Sequence, residues 1–262
     1  MRRSFLTPAL WIPAGLAIAL LGLPLVALIV RAPWVQLPEL LSRSEVLQAL
    51  GLSLATASIA TAVSLVLGIP LALVLARSAE WPAAPRRLLR ALVTVPLVLP
   101  PVVGGVALLL LLGRRGLIGQ FLPFQIPFST SAVVIAQVFV AMPFLVLAVE
   151  GAVRASDRRF ETAAATLGAT RWTILRRVTL PLVAPGVSAG ALLCFTRALG
   201  EFGATITFAG SFPGVTQTLP IATYLELQRD PDAAIALSLT LMVVSVAVLV
   251  TLRDRWVPGL TP

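Results

Sequence analysis

Apolar residues are concentrated in six long runs, separated by short polar segments rich in arginine. The runs cover approximately residues 9–30, 49–76, 91–112, 130–149, 182–206 and 233–252. A helix needs roughly 20 apolar residues to cross about 30 Å of hydrocarbon, so each run is long enough to span a membrane. Isolated strands cannot satisfy their backbone hydrogen bonds in lipid. The pattern therefore predicts an all-α polytopic membrane protein, with residues 1–262 forming one domain of six transmembrane helices.

The third apolar run contains several helix-breaking residues: Pro96, Pro100, Pro101, Gly104 and Gly105. Such a sequence cannot form one straight helix. Irregular backbone at membrane depth is tolerated where it is buried in protein or lines a water-filled cavity. The run is therefore equally consistent with a helix that lines a pathway or gate and with an ordinary kinked packing helix.

The fifth run ends with two charged residues, Arg197 and Glu201, which are spaced to pair on one helical face. A charge in hydrocarbon costs about 2.5–3.5 kcal/mol even on the lenient insertion scale. A structural ion pair that joins two helices is the favoured interpretation. A role near an anion pathway is the alternative.

The segment that follows, 203–220, is too apolar for an exposed loop and too rich in glycine and threonine for a span. The turn at Pro213–Gly214 favours a loop that folds back into the outer mouth of the protein. Its hydroxyl and backbone N–H groups are candidate contacts for an oxyanion. The pathway candidates are Pro100, Pro101, Gly104, Gly105, Arg197, Glu201, Thr205 and Thr207, and those of the outer loop are Gly210, Pro213, Gly214, Thr216, Gln217 and Thr218.

The polar segment 150–181 differs from the other connections because it contains an amphipathic pattern. Phe160, Ala163, Ala164 and Leu167 have the i, i+3, i+4, i+7 spacing that places them on one face of a short helix. A plain turn would suffice to join two spans. An amphipathic helix in this segment therefore predicts a docking surface for a soluble partner.

The ends of this short helix are also predictable from the residues around it. Gly168 lies where a left-handed residue would end the helix. Thr170 is placed to cap a second short helix that extends through Val178, and Pro181 follows as a break. We therefore expect two short helices that meet at a glycine.

Composition supports a membrane protein and excludes several kinds of enzyme. Of the 262 residues, 58% are hydrophobic and 12% are charged, whereas a soluble domain has about 25% charged residues. The chain has no histidine, which removes histidine-dependent catalytic triads and histidine metal sites. It also has no Walker A sequence, no dinucleotide-binding motif in context and no cluster of metal ligands. Any energy source for uphill work is therefore expected on another subunit.

The arginine distribution predicts the orientation of the chain. All twenty basic residues are arginine; fourteen lie in segments on the side of the N-terminus, five on the other side, and Arg197 lies within a run. Cytoplasmic loops carry the excess of basic residues, so both termini and the 150–181 segment are expected in the cytoplasm. The net charge of +9 is thus a topology signal and does not indicate nucleic acid. Arg2 and Arg3 precede the first run, which is expected to be a retained span and not a cleaved signal peptide.

The 161–181 segment, ETAAATLGATRWTILRRVTLP, resembles the EAA motif of ATP-binding-cassette (ABC) importer permeases. Ala163, Ala164, Gly168, Leu180 and Pro181 match the spacing of that motif, as does Val178. Thr162 occupies the position of the motif glutamate, and Glu161 precedes it. The resemblance assigns ATPase coupling to a set of residues in this segment. They are Phe160, Glu161, Thr162, Ala163, Ala164, Leu167, Gly168, Leu180 and Pro181.

Two further stretches, PLVLPPVVGGVALLLLLGRRG and RALGEFGATITFAGSFPGVTQTLPIATY, resemble the permease subunits of molybdate/tungstate importers. Sulfate/thiosulfate permeases are close relatives and supply the alternative substrate. The resemblance implies a type I ABC importer permease fold and a transport role with no catalytic residues and no cofactor of its own. It also implies a homodimer in the lipid of the cell membrane, with two copies of a cytoplasmic ATPase that bind ATP and magnesium. An extracytoplasmic oxyanion-binding protein would deliver the substrate.

A stand-alone channel or secondary transporter is a less favoured alternative. Such proteins usually need intramembrane carboxylates or inverted repeats. Only Arg197 and Glu201 lie clearly within a run, and no repeat is evident between the two halves. A membrane enzyme is disfavoured by the missing histidines and motifs.

Overall fold

The computed structural model describes residues 10–256, which contain helices and turns and no strand. Arg2, Arg3 and the predicted start of the first span at residue 9 lie outside these residues. The helices are α1 Trp11–Val30, α2 Leu37–Ser42, α3 Ser44–Arg77, α4 Ala83–Val98, α5 Pro101–Leu112, α6 Thr130–Ala155, α7 Arg159–Thr166, α8 Arg171–Ile174, α9 Leu180–Leu199, α10 Gly203–Phe208, α11 Leu219–Glu226 and α12 Pro231–Trp256, with a π turn at Leu175–Thr179.

Five continuous helical stretches are long and apolar enough to cross a membrane. They are Trp11–Val30, Ser44–Glu80, Thr130–Ala155, Arg171–Leu199 and Pro231–Val248. The pair α4 and α5 makes a sixth if it is counted as one span, although its two helices meet at 118°. The predicted number of six is therefore reached only with this bent pair.

The bend between α4 and α5 follows from two consecutive prolines. Leu99 and Pro100 each precede a proline, which disfavours the helical backbone, and both are extended with ψ of 134° and 133°. Pro101 then occupies the first turn of α5, where its missing N–H costs nothing. The predicted span 91–112 is thus two helices, of which the first begins at Ala83. Pro96 lies inside α4 and does not interrupt it.

The predicted fifth span, 182–206, is wrong at its far end. α9 ends at Leu199, and α10 begins separately at Gly203. The Glu201 carboxylate accepts a hydrogen bond from the Ala204 N–H at 2.8 Å, which satisfies a free donor at the start of α10. The segment 203–220 accordingly contains two short helices, α10 and the start of α11, and is not a simple loop.

The predicted break at Pro181 is also wrong. Helical structure is continuous from Arg171 to Leu199, because the π turn at Leu175–Thr179 joins α8 to α9. A π turn changes the local hydrogen-bond register, which accommodates the missing N–H and the bulk of the proline ring. The 150–181 segment is shorter than predicted as a connection, since α6 continues to Ala155.

The core is formed by α3, α6 and α9, which approach closely through small residues. A Cβ at Gly68 or Gly190 would lie 3.2 Å or 3.0 Å from Leu145, and one at Gly186 would lie 2.2 Å from the Cβ of Ala152. Small residues of this kind allow helix backbones to pack closely in lipid. A second cluster joins α5, α6 and α10 around Leu108, Val133, Ala136, Ala204 and Phe208.

The helix α1 lies at the periphery and has no buried residue. Its exposed side chains are almost all apolar, among them Leu16, Ile18, Leu20 and Leu21. Exposure of this kind is stable only if the surrounding medium is itself apolar. The helix therefore contacts lipid or an apolar protein surface.

Candidate functional site

The segment predicted to dock a partner forms a short helix and a tight turn at one end of the bundle. Helix α7 ends at Thr166, and Gly168, two residues later, has a φ of +83°, the left-handed conformation predicted for this position. The Thr170 side chain accepts a hydrogen bond from the Thr173 N–H at 3.2 Å and caps α8. Both local predictions, the end of the first helix and the cap of the second, are confirmed.

The amphipathic face of α7 is exposed. Phe160 and Leu167 have 58% and 88% of their surface exposed, Ala163 is exposed, and Ala164 is half-buried. The neighbouring Trp172, in α8, is also exposed. Apolar side chains that remain exposed on a short polar connection form a surface suited to another protein.

Glu161 points away from this exposed face. Its Oε1 atom accepts a hydrogen bond from the Thr179 hydroxyl at 2.6 Å and lies 3.2 Å from Nη2 of Arg77. Thr179 belongs to the π turn, and Arg77 is the last residue of α3. Neither partner is predictable from the local sequence pattern, because Thr179 and Arg77 lie 18 and 84 positions from Glu161.

The remaining coupling candidates lie in α7 and in the first turn of α9, next to the contact between Glu161 and Thr179. Thr162 is exposed, and its hydroxyl donates to the Arg158 carbonyl at 3.1 Å, within the same turn. Leu180 is half-buried and Pro181 is exposed, both in the first turn of α9. The structure therefore places all the candidates at one end of the bundle. Their contact with an ATPase stays a prediction.

A second ionic group lies at this end of the bundle. The Glu150 carboxylate, near the end of α6, is almost fully buried and pairs with Arg90 of α4 and Arg154 of α6. A buried carboxylate needs such partners, because an unpaired charge there would be strongly destabilising. The group fixes the start of the bent pair against α6. We call the end that carries Glu150, Glu161 and these arginines the basic end.

The pathway candidates of the bent pair pack against α10 and α6. A Cβ at Gly105 would lie 2.7 Å from the Ala204 carbonyl oxygen, and Gly203 faces Pro101 at a comparable 2.9 Å. Gly104 faces only the ring of Phe139. The glycines at 104 and 105 thus serve close helix packing, and a role of Pro100, Pro101, Gly104 and Gly105 in a gate stays a prediction.

Arg197 and Glu201 form the predicted ion pair, with Nη1 2.7 Å from Oε2. Only 1% of Glu201 is exposed, and its other carboxylate oxygen accepts the Ala204 N–H. The pair therefore joins the end of α9 to the start of α10, as the structural interpretation predicts. Thr207 donates to the Gly203 carbonyl, whereas the Thr205 hydroxyl is fully buried with no hydrogen-bond partner among residues 10–256.

The predicted outer loop is a compact turn between α10 and α11. Gly210 and Gly214 have φ of +74° and +72°, which explains the choice of glycine at these two positions. The Thr216 hydroxyl accepts the Phe212 N–H, and Thr218 is buried, so both hydroxyls face the protein. Pro213 is exposed and Gln217 is half-buried.

The loop is held to the spans through backbone contacts. The Thr130 hydroxyl donates to the Val215 carbonyl at 2.9 Å, and the Leu219 N–H donates to the Ser53 hydroxyl at 2.7 Å. With Thr216 and Thr218 buried, two of the loop's candidate hydroxyl groups do not face outward. Its contact with an oxyanion stays a prediction.

Gln137 is a buried polar residue that is not among the candidates predicted from the sequence. It lies in α6 with 1% of its surface exposed, and its amide makes no hydrogen bond within the described part of the chain. A single amide in the apolar run 130–149 was the available signal, because polar residues within spans are rare and often functional. No group of three or more potential metal ligands occurs among residues 10–256.

Comparison with known proteins identifies relatives over almost the whole chain. Residues 68–258 match the family model described as binding-protein-dependent transport system inner membrane component. The molybdenum transport system permease protein ModB of Mycobacterium tuberculosis is 50% identical over 248 residues, covering 94% of this chain and 93% of that one. ModB of Escherichia coli K12 is 40% identical and covers 80% of this chain and 92% of that one. The sulfate transport system permease protein CysT of Escherichia coli K12 is 33% identical, covering 90% of this chain and 88% of that one.

Solved structures with the same fold are subunits of ABC transporters. A bacterial ABC transporter that imports the acidic polysaccharide alginate aligns with a TM-score of 0.73 at 16% identity, covering 97% of this chain and 95% of that one. The alginate transporter in complex with its pentasaccharide-bound periplasmic protein aligns with a TM-score of 0.72 at 17% identity, covering 93% and 91%. These likenesses show the fold and confirm the all-α permease architecture predicted from the sequence.

Proposed function

This chain belongs to the family of binding-protein-dependent transport system inner membrane components, and from that premise we propose that it is the permease subunit of an ATP-driven molybdate/tungstate importer. The observation that carries the proposal is its 50% identity, over 94% of its length, to a molybdenum transport permease. The predicted transport role, as opposed to an enzymatic one, agrees with the family. Hydrolysis of ATP, with its magnesium ion, is assigned to a separate subunit.

The exposed face of α7 is the proposed docking surface for that ATPase. Phe160 and Leu167 present apolar side chains, and Gly168 allows the sharp turn that leads into α8. Two copies of the ATPase are expected, one for each permease subunit. One docking surface and a single set of spans in each chain support a symmetric homodimer, since a two-fold axis would bring two such halves together.

The proposed orientation places the basic end in the cytoplasm. Arg77 at the end of α3, Arg90 in α4 and Arg154 at the end of α6 lie at this end, in agreement with the bias toward basic cytoplasmic loops. Both termini are then cytoplasmic. The turn between α10 and α11 lies at the other end, where an extracytoplasmic oxyanion-binding protein would dock.

The proposed pathway follows the bent pair and its contact with α10. Pro100, Pro101 and the two glycines of α5 are the gate candidates, with Thr205 and Thr207 on the facing helix. A bend of 118° at membrane depth supports this proposal, because non-helical backbone needs protein or a water-filled cavity around it. Alternation between two arrangements of the dimer would open the pathway to one side at a time.

Sulfate is the second candidate substrate. A sulfate permease is 33% identical over 90% of this chain, which is a weaker but nearly complete match. Molybdate, tungstate and sulfate are all tetrahedral dianions, so the same permease architecture suits each of them. The binding protein is expected to set much of the choice among them.

The decisive test is oxyanion-stimulated ATP hydrolysis and uptake in proteoliposomes that contain this chain, its ATPase and its binding protein. Molybdate and tungstate are expected to stimulate both activities, and sulfate is not. Stimulation by sulfate alone would correct the substrate and keep the importer. An assembled complex that responds to none of the three anions would contradict the oxyanion assignment.

A further inference from the structure

We propose that Glu161 is a positioning residue that joins α7 to α3 and to the π turn, so that movement of α7 reaches both spanning helices together. The proposal rests on the transport function proposed above and assigns a different role to Glu161 from the ATPase contact expected from the sequence. We call the contact among Glu161, Arg77 and Thr179 the Glu161 clasp.

The Glu161 clasp joins three elements through one carboxylate. Oε1 of Glu161 is 2.6 Å from the Thr179 hydroxyl, and Nη2 of Arg77 lies 3.2 Å from Oε1 and 3.4 Å from Oε2. Hydrogen bonds to an ionised carboxylate are stronger than those between neutral groups. The contact between α7 and the ends of α3 and α9 therefore rests on a specific polar interaction.

Burial distinguishes the clasp from the docking surface. The Glu161 side chain is 26% exposed and Thr179 is 1% exposed, while the Arg77 side chain is 51% exposed and Leu167 of the same short connection is 88% exposed. A soluble partner that covers Phe160 and Leu167 would not need to reach Thr179. The apolar residues and the carboxylate of α7 thus face different neighbours.

The position of Thr179 gives the clasp a mechanical consequence. Thr179 is the last residue of the π turn, between α8 and the spanning helix α9. A π turn is a local irregularity that is often associated with function. Without a tie to α7, this turn would absorb a displacement of the docking helix. With the clasp, the displacement is passed to α9, and through Arg77 to α3.

Thr179 offers a test that leaves the docking surface untouched. Thr179→Val removes the hydroxyl at constant shape, and Thr179→Ser retains it. In proteoliposomes with the ATPase and binding protein, we expect Thr179→Val and Glu161→Ala to lower oxyanion uptake per ATP hydrolysed by about fivefold or more. Thr179→Ser and Thr166→Val, a control on the exposed side of α7, are expected to retain the wild-type ratio.

Affinity for the purified ATPase separates positioning from docking. All four variants are expected to bind it within about twofold of the wild type, because the lost contacts are internal to this chain. An affinity that falls in parallel with uptake would overturn the proposal and make Glu161 an ATPase contact. An unchanged uptake ratio in Thr179→Val would overturn it as well.

Hydrogen exchange of the purified chain tests the clasp without any substrate. Backbone amides in α7 and the π turn are expected to exchange faster in Thr179→Val than in Thr179→Ser. Equal exchange in these two variants would contradict the clasp, whatever the transported ion. A wild-type complex that imports no oxyanion would instead contradict only the proposed function.

Discussion

At the scale of single residues, two kinds of feature shape the molecule. Some act within a single turn of the chain, and others are polar contacts between residues that are distant in the sequence. Gly168 and Thr170 act within one turn, as a left-handed helix end and a helix cap. Three carboxylates instead join different helices: Glu161, Glu150 and Glu201. Gly168 and Thr170 shape the segment that carries the proposed docking surface, and Glu161 connects this segment to α3 and the π turn. Glu150 joins α6 to α4, and Glu201 joins α9 to α10.

Gly168 provides a prediction about backbone conformation alone. A Cβ at this position would meet no atom within 4 Å, so a substitution is opposed only by the φ of +83°. We expect Gly168→Val to cost about 1–2 kcal/mol or more in the native turn and to lower uptake per ATP in the reconstituted complex. Gly168→Asn is the matched control, because asparagine tolerates the left-handed region. An equal loss of uptake per ATP in both variants would show that any side chain at this position is harmful, whatever its tolerance of positive φ.

The same residues show what a sequence can predict at this scale. The turn at Gly168 and the cap at Thr170 were predictable, since each depends on neighbours within a few positions. Thr179 and Arg77 were not predicted as partners of Glu161, because nothing in the local pattern determines which distant side chain faces a carboxylate. The buried Gln137 was missed for the same reason: its burial depends on the packing of other helices around α6.

At the scale of elements, the spans are organised by where prolines and small residues fall. Consecutive prolines end α4 and start α5, and this break was predictable from the sequence. The bend angle of 118° was not, because it depends on how α5 packs against α10. The predicted end of the fifth span, residue 206, was wrong. The break between α9 and α10 depends on the hydrogen bond from the Ala204 N–H to Glu201, and this contact produces no change in the pattern of apolar and polar residues.

Close packing of α6 and α9 gives a prediction with a control in the same helix pair. A Cβ at Gly186 would lie 2.2 Å from the Cβ of Ala152, whereas one at Gly151 would meet nothing within 4 Å. We expect Gly186→Ala to destabilise the purified chain by about 1–3 kcal/mol, because the helices must separate. Gly151→Ala is expected to be neutral or slightly stabilising, as alanine favours a helix over glycine. Thermal unfolding in detergent measures both, and equal midpoints would contradict the close α6–α9 contact.

At the scale of the whole molecule, the features divide between two ends of one helical bundle. The basic end carries the docking surface and the Glu161 clasp, and the other end carries the turn between α10 and α11. The contact between α5 and α10 lies between these two ends. If the Glu161 clasp transmits motion as proposed, a displacement of α7 would reach α3 and α9 together, and Arg197 and Glu201 join α9 to α10.

The orientation of this bundle is testable with single cysteines, because the chain has one native cysteine, Cys194, which is buried. In a Cys194→Ala background, Leu167→Cys at the basic end and Phe121→Cys at the other end fall on positions that are 88% and 79% exposed. The arginine bias places the basic end in the cytoplasm. In intact cells that express this chain without its ATPase, a membrane-impermeant maleimide should therefore label Phe121→Cys, and Leu167→Cys only after permeabilisation. Both variants should react in detergent, which controls for accessibility. The reverse pattern would place the docking surface outside the cell, away from any ATP, and would contradict both the orientation and the coupling role of α7.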